Sequence, residues 1–255
     1  MTAPDQDTLL AIAERLQRAR RLLFVTGAGL SADSGLPTYR GVGGLYDDAD
    51  TPDGLSIEDA LSGPMLRRDP ALTWKYIHQI EAACRHSAPN DGHRAIAALE
   101  RRFEVWVLTQ NVDGLHHAAG SSRVIDIHGD IHRLRCTSCD WIENINDYSG
   151  LRYTPPRCPR CRAVIRPDVV LFQEMLPADK LYLLQQQQER GFDAVFSVGT
   201  SSVFSYISQP VARARQTGAL TVEINPGLTR LSHLVDHRLA AGAAASLRAL
   251  AALLS

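Results

Sequence analysis

Lysine is almost missing from this chain: of 27 basic residues only Lys75 and Lys180 are lysines, the rest being arginine. Such a bias more often follows genome composition than function, and it assigns no role. No run of 18 apolar residues occurs, which excludes an ordinary membrane-spanning helix. The amino-terminal M-T-A-P-D-Q-D has neither a basic leader nor a long apolar stretch, so a cytoplasmic protein is expected. Net charge is −1, too little to draw the whole molecule toward nucleic acid or an anionic membrane. Cysteine is scarce and odd in number, at 5, which argues against a disulfide framework; four of the five fall in two C-x-x-C pairs, which in a reducing compartment suggests a metal. Cys84, the fifth, lies in a helical stretch and reads as a buried structural thiol. Internal repeats are absent, and the Gln185–Gln188 run reads most simply as a solvated helix face.

What is present is a chain of 255 residues, 45% hydrophobic, enough to bury a full core. Short apolar and β-branched runs at Leu22–Thr26, Val105–Thr109, Val124–Ile127, Ala194–Val198 and Ala219–Ile224 read as buried parallel strands. Helical patterns at about 8–20, 71–84, 91–102, 178–190, 205–216 and 241–254 alternate with them. The expected fold is α/β, a Rossmann-like doubly wound parallel sheet, whose ligands bind at the strand carboxyl ends. Two segments interrupt the alternation. Residues 41–90 read as a loop plus a helical insertion, and 132–168 as a ribbon that carries the paired cysteines. Together they form a small domain beside a larger one of 1–40, 91–131 and 169–255.

Three groups of residues carry chemistry. In L-L-F-V-T-G-A-G-L-S-A-D-S-G, Gly27 and Gly29 directly follow a strand, where glycines admit a diphosphate and a helix amino terminus favours its charge. A structural tight turn would explain the same pattern. A dehydrogenase would place an acid about 20 positions on, at the end of a second strand; here that position falls in Asp47–Asp53, where Pro52 and Gly54 indicate loop. Cys136-x-x-Cys139 and Cys158-x-x-Cys161, 18 residues apart, have the spacing of a four-thiolate zinc ribbon. Four sulfurs fill the tetrahedron, so that zinc is structural. Finally, Gln110-Asn111-Val112-Asp113 and His128-Gly129-Asp130 each follow a strand, bringing amide, carboxylate and imidazole groups to one sheet edge.

Taken with G-A-G-L-S-A-D-S-G-L-P-T-Y-R (27–40), T-Q-N-V-D-G-L-H (109–116), I-H-G (127–129), R-P-D-V-V-L-F (166–172), G-T-S (199–201) and E-I-N (223–225), these segments resemble the sirtuin family, in its bacterial-like small form, across nearly the whole chain. The resemblance implies an NAD-dependent protein-lysine deacylase. NAD would lie against Gly27, Ala28 and Gly29, with nicotinamide near Ser31, Asn111, Val112 and Asp113, with Thr38, Tyr39 and Gln110 also in the cofactor site and Arg40 ordering the loop and cofactor. Gly199, Thr200, Ser201, Asn225, Pro226, Gly227 and Ala244 would contact the phosphate, ribose and adenine side. His128 matches the family's base, which deprotonates a ribose hydroxyl, and Asn111 stands with it as a catalytic residue. An imidazole suits that task at cellular pH. Products would be free lysine, nicotinamide and O-acyl-ADP-ribose.

Acyl-lysine proteins or peptides are the implied partners, with Val170 and Phe172 on the segment that pairs with peptide. Family members that prefer succinyl or malonyl groups carry a Tyr-x-x-Arg pair, and here Ile77 and Ile80 stand in its place. Without a guanidinium a buried dicarboxylate acyl group stays unpaired, so acetyl or longer apolar groups are expected; both isoleucines could equally be core residues. Gln173 replaces the glycine of the family's F-G-E, and the proline usual after G-T-S is lost in Ser202-Val203-Phe204-Ser205-Tyr206, where Tyr206 reads either as a stacking partner near the cofactor or as a helix cap. Protein ADP-ribosylation and NAD hydrolysis would share the same cleavage of NAD. A zinc ribbon used as a binding module is an alternative of another class, but Asp140, Glu143 and Asp147 dilute its arginines and disfavour nucleic acid.

Overall fold

The computed structural model describes residues 3–36, 51–151 and 154–254. Its strands are β1 (Arg21–Thr26), β2 (Glu104–Thr109), β3 (Val124–Asp126), β4 (Gly129–Cys136), β5 (Ile142–Asn144), β6 (Ile165–Val169), β7 (Ala194–Val198), β8 (Leu220–Ile224) and β9 (His237–Leu239). The helices are α1 (Gln6–Leu16), α2 (Ala28–Ser31), α3 (Ile57–Ala60), α4 (Gly63–Arg68), α5 (Pro70–Cys84), α6 (Asp91–Leu99), α7 (Leu115–Ala118), α8 (Ala178–Arg190), α9 (Ser205–Gln216) and α10 (Ala243–Leu254).

Six strands form one sheet in the order β3-β2-β1-β7-β8-β9, every neighbouring pair parallel. This is the doubly wound order, and its direction of winding reverses between β1 and β7. Side chains alternate across the sheet. Phe24, Val107, Phe196 and Val222 meet Leu9 and Ile12 of α1, Ile96 of α6 and Leu247 and Leu250 of α10. On the opposite face Leu23, Val25, Leu108 and Val195 meet Leu184 of α8 and Ile207 and Val211 of α9. Burial on both faces explains why these strands read as continuous apolar runs.

A second, antiparallel sheet has the order β5-β4-β6. Leu134 and Ile165 from it join Trp74, Tyr76, Ile77 and Ile80 of α5 and Tyr148 in a separate core. Trp74 is fully buried and its indole N–H donates to the Ile165 carbonyl at 2.8 Å, which ties α5 to β6. α5 itself starts where Asp69 accepts from the Leu72 N–H at 3.1 Å and Pro70 occupies the first helical position.

The elements differ from expectation at their ends. The helix expected over 8–20 begins at Gln6 because Asp5 caps it, accepting from the Thr8 N–H at 2.9 Å, and it stops at Leu16. The one expected over 91–102 ends at Leu99, and that over 241–254 begins at Ala243. The strand expected to reach Ile127 ends at Asp126. β9 is not expected at all, since three residues leave no period to read. For the same reason α3, α4 and α7, of four to six residues each, pass unread, whereas the helix expected to follow the glycine loop is the four-residue α2.

Candidate active site

Loops leaving the carboxyl ends of β1, β2 and β7 converge where the winding of the sheet reverses. The Gly29 N–H donates to the Gly199 carbonyl at 2.8 Å, and that of Gly27 to the Val198 carbonyl at 3.1 Å. A Cβ on Gly29 would lie 2.7 Å from the Gly199 Cα, and one on Gly199 only 2.4 Å from the Leu30 nitrogen. The glycines are therefore demanded first by contact between two backbones of the protein. Access for a diphosphate is a second consequence of the same absence of side chains.

The segment after β2 joins this pair of loops. The side-chain amide of Gln110 donates to the Thr200 hydroxyl at 2.8 Å. Asn111 donates to the Gly27 carbonyl at 3.1 Å and to the Ser31 hydroxyl at 3.0 Å, and Ser31 in turn donates to Asp113 at 2.7 Å. The other Asp113 oxygen accepts from the Leu115 N–H at 3.0 Å, and the Val112 carbonyl accepts from the Ile131 N–H at 2.9 Å. Burial raises the Asp113 carboxyl above its ordinary range, against the pull of the Leu115 and Ser31 hydrogen bonds. Ser31, Asn111 and Asp113 thus form one polar chain at the carboxyl ends of β1 and β2.

His128 lies between β3 and β4. Its Nδ1 is 2.9 Å from the main-chain carbonyl of Gln110, a group that only accepts. Nδ1 therefore carries the proton, and in the neutral ring Nε2 holds the basic lone pair. Burial depresses the imidazole below its usual value; the Gln110 carbonyl opposes this, and the nearby Lys180 ammonium adds to it. Nε2 lies 2.8 Å from the hydroxyl of Tyr206.

On the far side, Asn225 donates to the Thr200 carbonyl at 3.2 Å and accepts from the Gly227 N–H at 3.0 Å. Ser201, Pro226 and Gly227 are exposed along this edge, and the half-buried Ala244 gives its N–H to Asp33 at 2.9 Å. Ala28 is half-buried beside the glycines. This lining of half-buried amide, hydroxyl and main-chain donors, in a crevice at the switch point, fits a dinucleotide. Thr38, Tyr39 and Arg40 lie outside the described residues.

The four paired cysteines come together with all their sulfurs within 4.8 Å of one another. Sulfur separations of 3.4 Å for Cys136–Cys161 and 3.6 Å for Cys139–Cys158 approach the edge of a zinc–thiolate tetrahedron, about 3.8 Å. The donor set therefore fits one zinc ion. His132 is not among the clustered residues and lies 3.6 Å from Asp130 instead.

Val170 and Phe172 follow β6. The Val170 N–H donates to the His128 carbonyl at 2.8 Å, the Leu171 N–H to Glu174 at 2.9 Å and the Phe172 N–H to the Leu61 carbonyl at 3.0 Å. The N–H donors of this stretch are thus already used within the protein. Ile77 and Ile80 are 2% and 5% exposed, among the apolar groups of the second core.

Residues 27–205 match the family described as Sir2. The chain belongs to the Sir2 family. Among its relatives is the protein named NAD-dependent protein deacylase 2 of Pseudomonas aeruginosa, 53% identical over 231 residues that cover 89% of this chain and 90% of that protein. The protein of the same name from Pseudomonas syringae pv. tomato is 54% identical and covers 89% and 93%. The crystal structure of a Sir2 homolog in complex with NAD superposes with a TM-score of 0.86 at 32% identity, over 100% of this chain and 96% of that one.

Sequence reasoning left several positioning residues unread in this Sir2 chain. Arg166, 5% exposed, binds Glu174 at 2.6 and 2.8 Å and the Val169 carbonyl at 2.6 Å, pinning the turn that follows β6. Arg238 and Glu223, 3.2 Å apart, hold the Asn225 loop. An Arg–Glu pair eight or more residues apart carries no local signal. The exception is Asn90, which donates to the Leu30 carbonyl at 2.8 Å and to the Ser34 hydroxyl at 3.0 Å; its place before D-G-H marks it only as a helix cap.

Proposed function

We propose that this chain is an NAD-dependent protein-lysine deacylase that favours acetyl or longer apolar acyl groups over succinyl and malonyl, and that it releases nicotinamide and O-acyl-ADP-ribose. The observation that carries the reading is His128: its Nδ1 lies on the main-chain carbonyl of Gln110, which sets the tautomer and leaves Nε2 as the basic nitrogen, and Gln110 directly precedes Asn111 of the Ser31–Asn111–Asp113 chain. Descent shared with proteins named as NAD-dependent deacylases supports the same reading.

Bound NAD would supply an electrophilic ribose carbon and a leaving nicotinamide. Gly27, Ala28 and Gly29 would hold its diphosphate, with Gly199, Thr200, Ser201, Asn225, Pro226, Gly227 and Ala244 along the adenosine half. Ser31, Gln110, Asn111, Val112 and Asp113 would bound the nicotinamide side, and Thr38, Tyr39 and Arg40 would complete the loop over it. His128 takes a proton at Nε2 and passes none through Nδ1, because the carbonyl there has no proton to exchange. One zinc on Cys136, Cys139, Cys158 and Cys161 would hold the ribbon and do no chemistry, since four thiolates leave no open position. Acyl-peptide would lie between the sheet domain (1–40, 91–131, 169–255) and the small one (41–90, 132–168), near Val170 and Phe172. The N–H groups of Val170, Leu171 and Phe172 and the carbonyls of Leu171 and Phe172 are already used within the protein, so the peptide would rely on side-chain contacts there.

The apolar preference rests on the resemblance, in which Ile77 and Ile80 stand where members that prefer succinyl or malonyl groups carry Tyr-x-x-Arg; both isoleucines pack in the second core, and a buried dicarboxylate there would find no cation on them. Incubation with NAD and matched acetyl, decanoyl and succinyl peptides, reading free lysine and O-acyl-ADP-ribose together, tests both parts. Faster turnover of succinyl peptide refutes the preference, and ADP-ribosylated protein without deacylation refutes the activity. His128→Ala is expected to lower deacylation by roughly 10²–10⁴-fold with fold and bound zinc retained. Undiminished turnover by that folded variant would remove His128 from its role.

A further inference from the structure

The basic nitrogen of His128 is not vacant. Tyr206 stands on the first turn of α9, half-buried, with its hydroxyl 2.8 Å from Nε2 and its ring edge-on to the imidazole at a centroid distance of 6.0 Å. Because Nδ1 already donates to Gln110, Nε2 accepts, and the phenol O–H is the donor. Burial holds that phenol above its usual range, so it stays protonated at neutral pH.

The route to this contact is built into the loop after β7. Gln110 grips Thr200, the Thr200 hydroxyl accepts from the Ser202 N–H at 3.1 Å, and Ser202 turns the chain in the left-handed region at φ 55°. Phe204 then stacks on Tyr206, with centroids 5.5 Å apart and planes 15° from parallel. Gln110 therefore positions both ends of the contact, His128 through its carbonyl and Tyr206 through Thr200. No side chain caps the start of α9; its first turn is held by the Phe204 carbonyl, which accepts from the Ile207 and Ser208 N–H groups at 3.1 Å.

We propose that Tyr206 is a gate on the base: in the free enzyme its hydroxyl occupies Nε2 of His128, and the ribose hydroxyl that His128 must deprotonate engages only after the phenol has moved off. The inference rests on the deacylase reading and deepens it. The gate holds the resting imidazole in its neutral, correctly oriented form, and it charges the nucleotide one hydrogen bond for entry. The proline that the family usually carries in this loop could offer no such donor.

Tyr206→Phe removes the hydroxyl and keeps the stacked ring. In the free protein, loss of a donor to Nε2 withdraws support from the neutral imidazole, so the His128 pKa, followed by NMR of its Cε1 proton, should rise by roughly half a unit to one unit. Other charges acting on the ring do not change: Lys180 on α8 stays paired to Asp126 at 2.8 Å, and the Gln110 carbonyl stays on Nδ1. The acid limb of kcat/KM for NAD should move up with it. ADP-ribose, used as the probe in calorimetry, should bind the variant about 2–10-fold more tightly, because no hydroxyl has to be displaced. An unmoved His128 titration, or ADP-ribose affinity equal to or weaker than that of the wild type, overturns the gate. If the wild type binds no ADP-ribose, the cofactor reading falls and takes the gate with it; if it binds and the variant merely equals it, only the gate falls.

Discussion

Gln173 keeps a full side chain at a backbone angle that suits glycine, φ 64°. A left-handed residue with a Cβ is strained by about 1 kcal/mol, and here no compensating hydrogen bond of the Gln173 side chain is seen among the described residues. Gln173→Gly should therefore stabilise the protein by roughly 0.5–1 kcal/mol, a rise in thermal midpoint of about 1–4 °C for a chain of this size. A lower midpoint would mean that the amide has a partner worth more than the strain. The sequence points to this residue through its departure from the family's glycine, but whether the backbone there is left-handed is a property of the turn that Arg166 and Glu174 hold. Tyr206 is the parallel case: its departure from proline is visible in the chain, and its hydrogen bond to His128 is not.

At the scale of elements, the decisive contact lies between the loops after β1 and β7. Gly199 is left-handed at φ 57° and a Cβ on it would meet the Leu30 nitrogen at 2.4 Å, inside any real contact distance. Gly199→Ala should force the two loops apart, cost roughly 2–4 kcal/mol of stability and weaken binding of ADP-ribose, measured by urea unfolding and calorimetry on the same preparation. Gly35→Ala, left-handed at φ 80° but with no group of the described residues within 4 Å of an added Cβ, should cost less and leave nucleotide binding unchanged. Equal effects of the two substitutions would show that backbone conformation alone, and not the loop contact, matters. The spacing of Gly27 and Gly29 is legible locally. Their partner, 170 residues downstream, is not.

For the whole molecule, two buried histidines couple folding to pH. His93 and His116 lie edge-to-face with centroids 4.9 Å apart, and burial lowers them to about 4 and about 3, with repulsion from Arg94 and from His93 and His117 adding to the effect. His116 is held by the Thr26 hydroxyl at 2.9 Å on β1, so its ring is part of the sheet's edge. Because their folded values lie below the ordinary 6.5, the unfolded chain takes up protons first as pH falls. Stability is full above about 6.5 and is lost on the way down to the folded values, by roughly 2 kcal/mol for each histidine between pH 7.5 and 5. Urea midpoints at those two pH values measure it, and a midpoint that does not fall contradicts neutral burial. Among the described residues no helix is long and apolar enough to cross a membrane.

Much of the fold and part of the candidate site depended on local chemistry alone. Continuous apolar runs specify strands buried on both faces, two-residue cysteine spacing specifies a thiolate knuckle, and a glycine pair after a strand specifies a close-packed turn; each signal lies within a few neighbouring residues. The tertiary structure decided what depends on groups far apart in the chain: the backbone contact of Gly29 with Gly199, the Ser31–Asn111–Asp113 chain, the Gln110 carbonyl that chooses the tautomer of His128, and the Tyr206 hydroxyl that covers its basic nitrogen. Those contacts follow from how helices and sheet pack, and no periodicity within a segment encodes them.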